Sequence, residues 1–240
     1  MGNKGGQTIL KRQSAPVFWN IRRKEGRFIP RISPGPHSKE RAYALGVILR
    51  DVLKSVKNMN EVKKVLNEGK IKVDNVPRYS PKFASGLMDT IELIPSKQIY
   101  RLVPKHSSLL YPIEIDEGEK HLKLVKVMRK NIIHGNKIQY GFHDGKTLLS
   151  DKEFKVGDSC LLKTPELEIL EHFKLAENCL ILIIRGDNAG KIGRVKEIKQ
   201  GTFSLPKRVI ALFESKSLEI PLDMIMIVGN ENDEPRIKVS

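Results

Sequence analysis

The chain has 240 residues, and its 43 lysines and arginines exceed its 28 acidic residues by 15 charges. Apolar residues make up 40% of it, which excludes a wholly disordered protein and allows two or three compact units. The longest unbroken apolar run, residues 179–184, is far shorter than the roughly 20 residues that cross a bilayer. No hydrophobic stretch of signal-peptide length stands at the start. We therefore expect a soluble, intracellular protein with a polyanionic partner and no membrane contact.

The positive charge is concentrated in the first half of the chain. Residues 1–110 carry 22 basic and 8 acidic residues, whereas residues 111–240 carry 21 and 20. A basic end on a nearly neutral body is typical of an interaction arm, and nucleic acid is the usual partner of such an arm.

Residues 1–42 are predicted to form this basic N-terminal arm. Glycine and proline are frequent in it, and its apolar residues follow neither a helical nor a strand period. We expect the arm to be disordered alone and to become ordered on its partner; the alternative is a solvated tail. Its candidate RNA-binding residues are Lys11, Arg12, Trp19, Arg22, Arg23, Lys24, Arg31, His37, Lys39 and Arg41.

Two of these arm residues have a second interpretation. Trp19 is placed to stack on an unpaired base, but burial of its ring against the folded domain is the preferred reading. His37 lies where the arm meets the first predicted helix, and it is expected to reach a phosphate or to cap that helix.

Residues 43–105 are predicted to form a small helical and hairpin unit. Apolar residues at helical spacing indicate a first helix over 43–56. A second helix is predicted to begin at Asn60 as its N-cap and to end before Gly69. The period then changes to two, and Asp74-Asn75 is expected to turn a tight hairpin.

This unit is predicted to present one basic face. Lys63 and Lys64 project together from the second helix, and Lys72 and Arg78 lie on the adjoining hairpin. These four are candidate RNA-binding residues, and the alternative is an ordinary solvated surface.

The rest of the chain is predicted to be mostly strand and turn. Residues 106–173 are assigned to a central β domain, with a hairpin turn at Asp144-Gly145. Residues 174–240 are assigned to a small β-barrel, with a frayed polar tail from residue 230.

A glycine-spaced loop is predicted between two strands over residues 183–195. Gly186, Gly190 and Gly193 are interpreted as structural glycines at positive φ, and Arg185, Lys191 and Arg194 as RNA-binding residues around them. A phosphate loop of the P-loop kind is excluded, because Lys191 is followed by Ile192 instead of Ser or Thr. The alternative is a turn with a purely structural glycine pattern.

The sequence indicates no metal site, cofactor or catalytic group. The six histidines are scattered without metal-ligand spacing. The two cysteines, Cys160 and Cys179, are expected to be reduced thiols.

The motifs resemble known families. Residues 43–105 resemble the αL-type RNA-binding domain, and residues 183–195 resemble the KOW motif. From Leu10 to Gly229 the chain is similar to the archaeal and eukaryotic family of small-subunit ribosomal protein four, with a second matching block at residues 85–89. The arm carries its strongest signature, in Leu10-Lys11-Arg12, Ala15-Pro16, Trp19, Phe28, Pro30-Arg31, Ser33 and Gly35-Pro36-His37.

This resemblance implies an α+β, multidomain protein that ends in an SH3-like barrel with a KOW motif. It implies a structural constituent of the small ribosomal subunit, cytoplasmic and ribosome-bound, that binds ribosomal RNA and neighbouring ribosomal proteins. It implies no enzyme, cofactor or small-molecule substrate. The alternatives are a KOW-class transcription factor and an RNA-modifying enzyme with an appended RNA-binding domain. The αL-type unit and the arm argue against the first, and the short C-terminal half argues against the second.

Overall fold

The computed structural model describes residues 9–105, 108–203, 205–213, 216–230 and 235–239. This part of the chain is built mostly from short antiparallel strands, with two helical segments near its beginning. The predicted α+β class is therefore confirmed in its coarse form. No helix among these residues is long and apolar enough to span a membrane.

The elements follow one another in short steps. The helical segments are α1 (Leu45–Val47), which continues as a π-helical stretch (Ile48–Val52), and α2 (Met59–Asn67). The strands are β1 (Leu10–Lys11), β2 (Phe28–Ile29), β3 (Ala42–Ala44), β4 (Ile71–Val73), β5 (Val76–Pro77), β6 (Ala84–Gly86), β7 (Thr90–Leu93), β8 (Gln98–Lys105), β9 (Ser108–Glu114), β10 (Leu122–Ile133), β11 (Lys137–Phe142), β12 (Thr147–Leu149), β13 (Ser159–Lys163), β14 (Glu168–Phe173), β15 (Leu180–Ile183), β16 (Ile192–Lys199), β17 (Arg208–Phe213), β18 (Lys216–Pro221) and β19 (Ile225–Gly229).

The strands form three five-stranded antiparallel sheets and two short ribbons. The first sheet has the order β5-β4-β7-β8-β9, the second β12-β11-β10-β13-β14, and the third β18-β17-β16-β15-β19. The ribbons are β1-β2 and β3-β6. Because β9 pairs with β8, the first sheet continues to Glu114, beyond the predicted boundary at residue 105.

The sheets pack against one another. One apolar core joins the helices and the first sheet to the arm, and another lies within the second sheet. The core of the third sheet also contains Met88, from the turn before β7, and Leu124 from β10. The basic residues of all units are therefore carried on one continuous body.

The first helix is shorter than predicted. Residues 42–44 pair with Ala84–Gly86 in the β3-β6 ribbon, so the helix begins only at Leu45, where that pairing ends. Its helical hydrogen bonding extends to Val52. The apolar stripe that predicted it is nevertheless buried, because Leu45, Ile48 and Leu49 are at most 1% exposed.

The second helix begins two residues earlier than predicted. Asn58, and not Asn60, is its N-cap. The Glu61 carboxylate accepts hydrogen bonds from the backbone N–H groups of Lys57 and Asn58, which is the reciprocal half of a capping box. At the other end Gly69 has φ +68°, as a C′ glycine requires.

The two predicted hairpin turns are confirmed. Asp74 and Asn75 both adopt left-handed backbone angles, with φ of 51° and 64°, between β4 and β5. Gly145 has φ +75° in the turn between β11 and β12.

The arm is folded, and the prediction of disorder is wrong for residues 9–42. Leu10, Trp19 and Ile29 are buried in the core that also contains the first helix. The Trp19 indole donates a hydrogen bond to the Ala42 carbonyl at 2.9 Å and stacks on Tyr43 at 5.6 Å between ring centroids. The arm has too few apolar residues for a core of its own, but they complete the core of the adjoining unit. Residues 1–8 lie outside the described residues.

The end of the chain is also packed, and the predicted fraying is wrong for residues 235–239. Ile237 and Val239 are buried in the core of the third sheet. The Lys238 N–H donates to the Glu119 carboxylate, and the Lys238 carbonyl accepts from Arg101. Residues 231–234 and 240 lie outside the described part of the tail.

Candidate nucleic-acid interface

Two arginines of the predicted set hold the arm together. Arg12 is 3% exposed; it donates to the Arg22 carbonyl at 2.8 Å and lies 3.8 Å from Asp51. Arg23 donates to the backbone carbonyls of residues 12, 15, 16 and 17. Arg12 is buried and the Arg23 guanidinium is committed to internal bonds, so the structure does not favour the RNA contacts predicted for them. Both side chains donate to backbone carbonyls of the arm, most of them part-buried, and these bonds hold the two guanidinium groups on the protein.

Trp19 and His37 are also buried, which does not favour the base and phosphate contacts predicted for them. Trp19 is 2% exposed, so its ring anchors the arm, as its preferred interpretation had it. The His37 Nε2 atom lies 3.1 Å from both carboxylate oxygens of Asp89. A Cβ atom on Gly86 would overlap the His37 ring, which explains a glycine in this block.

The remaining arm cations and those of α2 reach the surface. Lys63 and Lys64 are both exposed, as predicted. Arg31 is half-buried. The exposed arm residues are Lys11, Arg22, Lys24, Lys39 and Arg41.

The hairpin contributes less to the basic face than predicted. Lys72 is half-buried and lies 3.7 Å from Glu92. The Arg78 guanidinium stacks over the Phe83 ring at 4.3 Å. The exposed charge of this face is therefore carried mainly by α2.

The glycine loop between β15 and β16 differs from its prediction at one position. Gly186 and Gly190 have positive φ, at 87° and 89°, as predicted, but Gly193 does not. It lies in β16, where a Cβ atom would be 2.5 Å from the Phe213 ring. A Cβ on Gly190 would be 2.7 Å from the Pro104 carbonyl oxygen. Gly190 and Gly193 thus allow close packing of protein on protein.

The cations of this loop differ in exposure. Arg185 is half-buried, whereas Lys191 and Arg194 are exposed. The Lys191 amine donates to the Asn188 side chain at 2.7 Å.

A buried ionic network joins the first and second sheets and the arm. The Lys123 amine, on β10, lies 2.6 Å from Asp74, 2.5 Å from Asp89 and 3.1 Å from Asp144. Asp89 also contacts His37 of the arm, and Lys146 lies 2.9 Å from Asp74. No spacing in the sequence indicated this cluster, although the Asp74 and Asp144 turns and the 85–89 block each supplied one member.

The network keeps its members charged. Burial alone would raise the pKa values of Asp89 and Asp144, but the neighbouring positive charges outweigh it and lower both. Burial alone would lower the pKa of Lys123, but the surrounding carboxylates raise it well above its usual value. These ion pairs lie in the contact between the first sheet, the second sheet and the arm.

A second buried lysine joins the second and third sheets. The Lys126 amine donates to the carbonyls of Leu222 at 2.6 Å and Ile225 at 2.8 Å. Burial lowers its pKa to about 8.

Comparison with known proteins identifies the family. The small ribosomal subunit protein eS4 of Methanothermobacter thermautotrophicus is 37% identical over 223 residues, which cover 92% of each chain. That of Korarchaeum cryptofilum is 39% identical over 239 residues, which cover 96% of this chain and 97% of the relative. The chain belongs to the ribosomal S4e family. Ribosomal family S4e matches residues 96–169, and the RS4NT (NUC023) domain matches residues 4–40.

A solved S4e structure has the same fold. The crystal structure of the 30S ribosomal protein S4e from Thermoplasma acidophilum is 30% identical, with a TM-score of 0.67, and the match covers 79% of this chain and 96% of that one. The S4e match at residues 96–169 spans β8 to the start of β14, which includes Lys123 and Asp144 of the buried network. The alternatives, a transcription factor and an RNA-modifying enzyme, find no support in these similarities.

Among the residues described, no group of three or more histidines, cysteines, aspartates and glutamates is suited to hold a metal ion. Cys160 and Cys179 are buried and unpaired, as expected of thiols, and burial raises the pKa of Cys160 to about 12.

Proposed function

We propose that this chain is a structural constituent of the small ribosomal subunit that binds ribosomal RNA and supports subunit assembly and translation. The observation that carries the proposal is similarity along nearly the whole chain to proteins named as small ribosomal subunit eS4. The exposed cations of the arm and α2 supply the chemistry, because each phosphate they neutralise releases a counterion. The partners would be small-subunit ribosomal RNA and neighbouring ribosomal proteins, and the location the cytoplasmic ribosome.

The finer architecture is part of the proposal. The helices and the β4-β5 hairpin would act as an αL-type RNA-binding unit, and β15 and β16 with their loop as a KOW motif in an SH3-like barrel. The order of two helices followed by a tight hairpin supports the first assignment. Five antiparallel strands with positive-φ glycines between β15 and β16 support the second. The role needs no catalytic residue.

Sedimentation tests the proposed function. A tagged copy of the full chain, expressed in its own cells, is expected to co-sediment with the small subunit after the subunits are separated and washed in high salt. Its appearance in soluble fractions, or with RNA polymerase, would contradict the proposal. The arm variant Lys11→Glu/Lys24→Glu is expected to reduce retention on the subunit. The matched control, Lys163→Glu/Lys174→Glu, changes the same charge elsewhere on the surface and is expected to reduce retention less.

A further inference from the structure

A cleft of about 370 Å³ lies where the arm, the second sheet and the third sheet meet. Three arginines from these three units line it: Arg41 from the arm, Arg129 from β10 and Arg185 from the loop after β15. Its apolar lining includes Leu87, Met128 and Phe142. A cavity of this size and mixed lining is typical of a small-ligand site.

Among the described residues, the guanidinium groups of the cleft are not engaged in hydrogen bonds or short ion pairs. Within the described part of the chain, the side chains of Arg41, Arg129 and Arg185 form no hydrogen bond or ion pair. Burial, and then the positive charge of Arg41, lower the pKa of Arg185, so the two guanidinium groups are close enough to repel each other. The Asp223 carboxylate, which also lines the cleft, offsets part of this lowering at Arg185. It is one carboxylate among three arginines and Lys126.

An anion would relieve this repulsion. Guanidinium groups bind phosphate in a bidentate manner, and such charge-assisted bonds are stronger in a partly buried site than in water. The apolar lining beside the arginines would receive a flat, weakly polar group such as a nucleobase. A ligand that has both a phosphate for the arginines and a base for the apolar lining is a nucleotide.

We propose that this cleft binds one unpaired nucleotide of an RNA strand, with its phosphate on Arg41 and Arg185 and its base against Leu87, Met128 and Phe142. The inference rests on the proposed function and names a site for it. A base paired in a duplex is not available to enter, and single-stranded positions are where proteins commonly recognise RNA bases. An acidic peptide would satisfy the arginines but would leave the apolar lining unused.

Paired binding measurements test the site. The full chain and its Arg41→Ala/Arg185→Ala variant are titrated with an eight-nucleotide oligouridylate and with a blunt RNA duplex. Lys163→Ala/Lys174→Ala is the matched control, because it removes the same charge from exposed residues that do not line the cleft. Loss of two phosphate contacts at 0.1 M salt is expected to weaken oligouridylate binding by roughly 25-fold in the cleft variant. The control is expected to lose much less, and duplex binding is expected to change equally in both variants.

Each outcome decides the proposal. Equal losses of oligouridylate affinity in both variants, with wild-type binding intact, would overturn the site and leave the proposed function standing. Wild-type protein that binds neither RNA would overturn both. Uridine 5′-monophosphate that binds as tightly as the oligouridylate would replace the RNA strand by a free nucleotide as the ligand. An octaglutamate peptide that binds as tightly, with the same loss in the cleft variant, would replace the nucleotide by an acidic peptide.

A crosslink locates the nucleotide without any substitution. Oligouridylate carrying 4-thiouridine is irradiated with the wild-type protein, and the crosslinked peptides are identified by mass spectrometry. Crosslinks to Leu87, Met128 or Phe142 would support the site. Crosslinks confined to α2 or to the exposed arm residues would overturn it.

Discussion

At the scale of single residues, some basic side chains are buried and others are exposed, and residue identity alone does not decide which. Arg12 and Lys24 are both cations of the arm, yet Arg12 is 3% exposed and Lys24 lies at the surface. Arg12 lies inside because its guanidinium donates to a backbone carbonyl of the folded arm, as that of Arg23 also does. Long aliphatic stems allow either direction, so only the packed arm distinguishes them.

The loop glycines provide a test at this scale. Gly186→Ala is expected to cost about 1 kcal/mol, the strain of a positive φ alone, because nothing lies within 4 Å of its Cβ position. Gly190→Ala and Gly193→Ala are expected to cost more, since their Cβ atoms would meet the backbone of Pro104 and Leu212 at 2.7 and 2.6 Å. Chemical denaturation of the three variants measures the order. A Gly193→Ala variant as stable as wild type would contradict the steric argument, because Gly193 has no positive φ and the overlap is the only expected cost.

At the scale of elements, α2 combines one buried and one basic face. Val62 and Leu66 are buried, while Lys63 and Lys64, on the other side, are exposed. Lys63 and Lys64 therefore carry the charge of the helix, while its packing depends on Val62 and Leu66.

Charge reversal tests the basic face of α2. Lys63→Glu/Lys64→Glu is expected to weaken RNA binding by more than tenfold at low salt while the midpoint of thermal unfolding changes little, because surface substitutions cost about 0.5 kcal/mol or less. Lys163→Glu/Lys174→Glu is the control of equal charge. Equal losses of RNA affinity in the two variants would show that only net charge matters.

The arm provides a second test at the scale of elements. Trp19→Ala removes a buried ring and a hydrogen bond to Ala42, and is expected to cost about 3–5 kcal/mol of unfolding free energy. In the free wild-type protein, Trp19 fluorescence should be shielded from iodide and should change in the same urea transition as the far-ultraviolet circular dichroism. Exposure of Trp19 before that transition would show that the arm is loose when RNA is absent.

At the scale of the whole molecule, a buried ion network spans the contact between the first sheet, the second sheet and the arm. Lys123 contacts three aspartates from two sheets, and Asp89 extends the network to the arm. Breaking such a network leaves uncompensated charge in the interior, which costs more than the loss of an exposed pair.

The acid limb of stability tests the network. Because the folded pKa of Asp89 is lowered, its contribution is fully present above the unfolded value near 3.8 and is lost as the pH falls through the folded value. Asp89→Asn is expected to cost about 3–5 kcal/mol at neutral pH. The difference from wild type should shrink by about 1.4 kcal/mol for each pH unit below the unfolded value. Urea unfolding from pH 7 to pH 2.5 measures this, with the exposed Asp151→Asn as control. A difference that does not vary with pH would contradict the electrostatic assignment.

Local patterns determined much of the fold without tertiary information. The Asp74-Asn75 and Asp144-Gly145 turns, the end of α2 at Gly69 and the buried stripe of α1 all follow from the sequence, because each depends on backbone preference or on periodicity within a few residues. The charge excess and the arm signature pointed to the ribosomal family, because these properties also lie along the chain.

Only the tertiary structure decided the direction and the partners of the charged groups. The sequence predicted that Arg12 and His37 contact RNA, but both are buried in the structure. Their acidic partners, Asp51 and Asp89, lie 39 and 52 residues away along the chain, so only long-range packing brings them together. The same packing placed the arm on the first sheet and brought Arg41, Arg129 and Arg185 to one cleft. Contacts between residues of different units depend on how those units pack, and no local period or motif in the sequence specifies that packing.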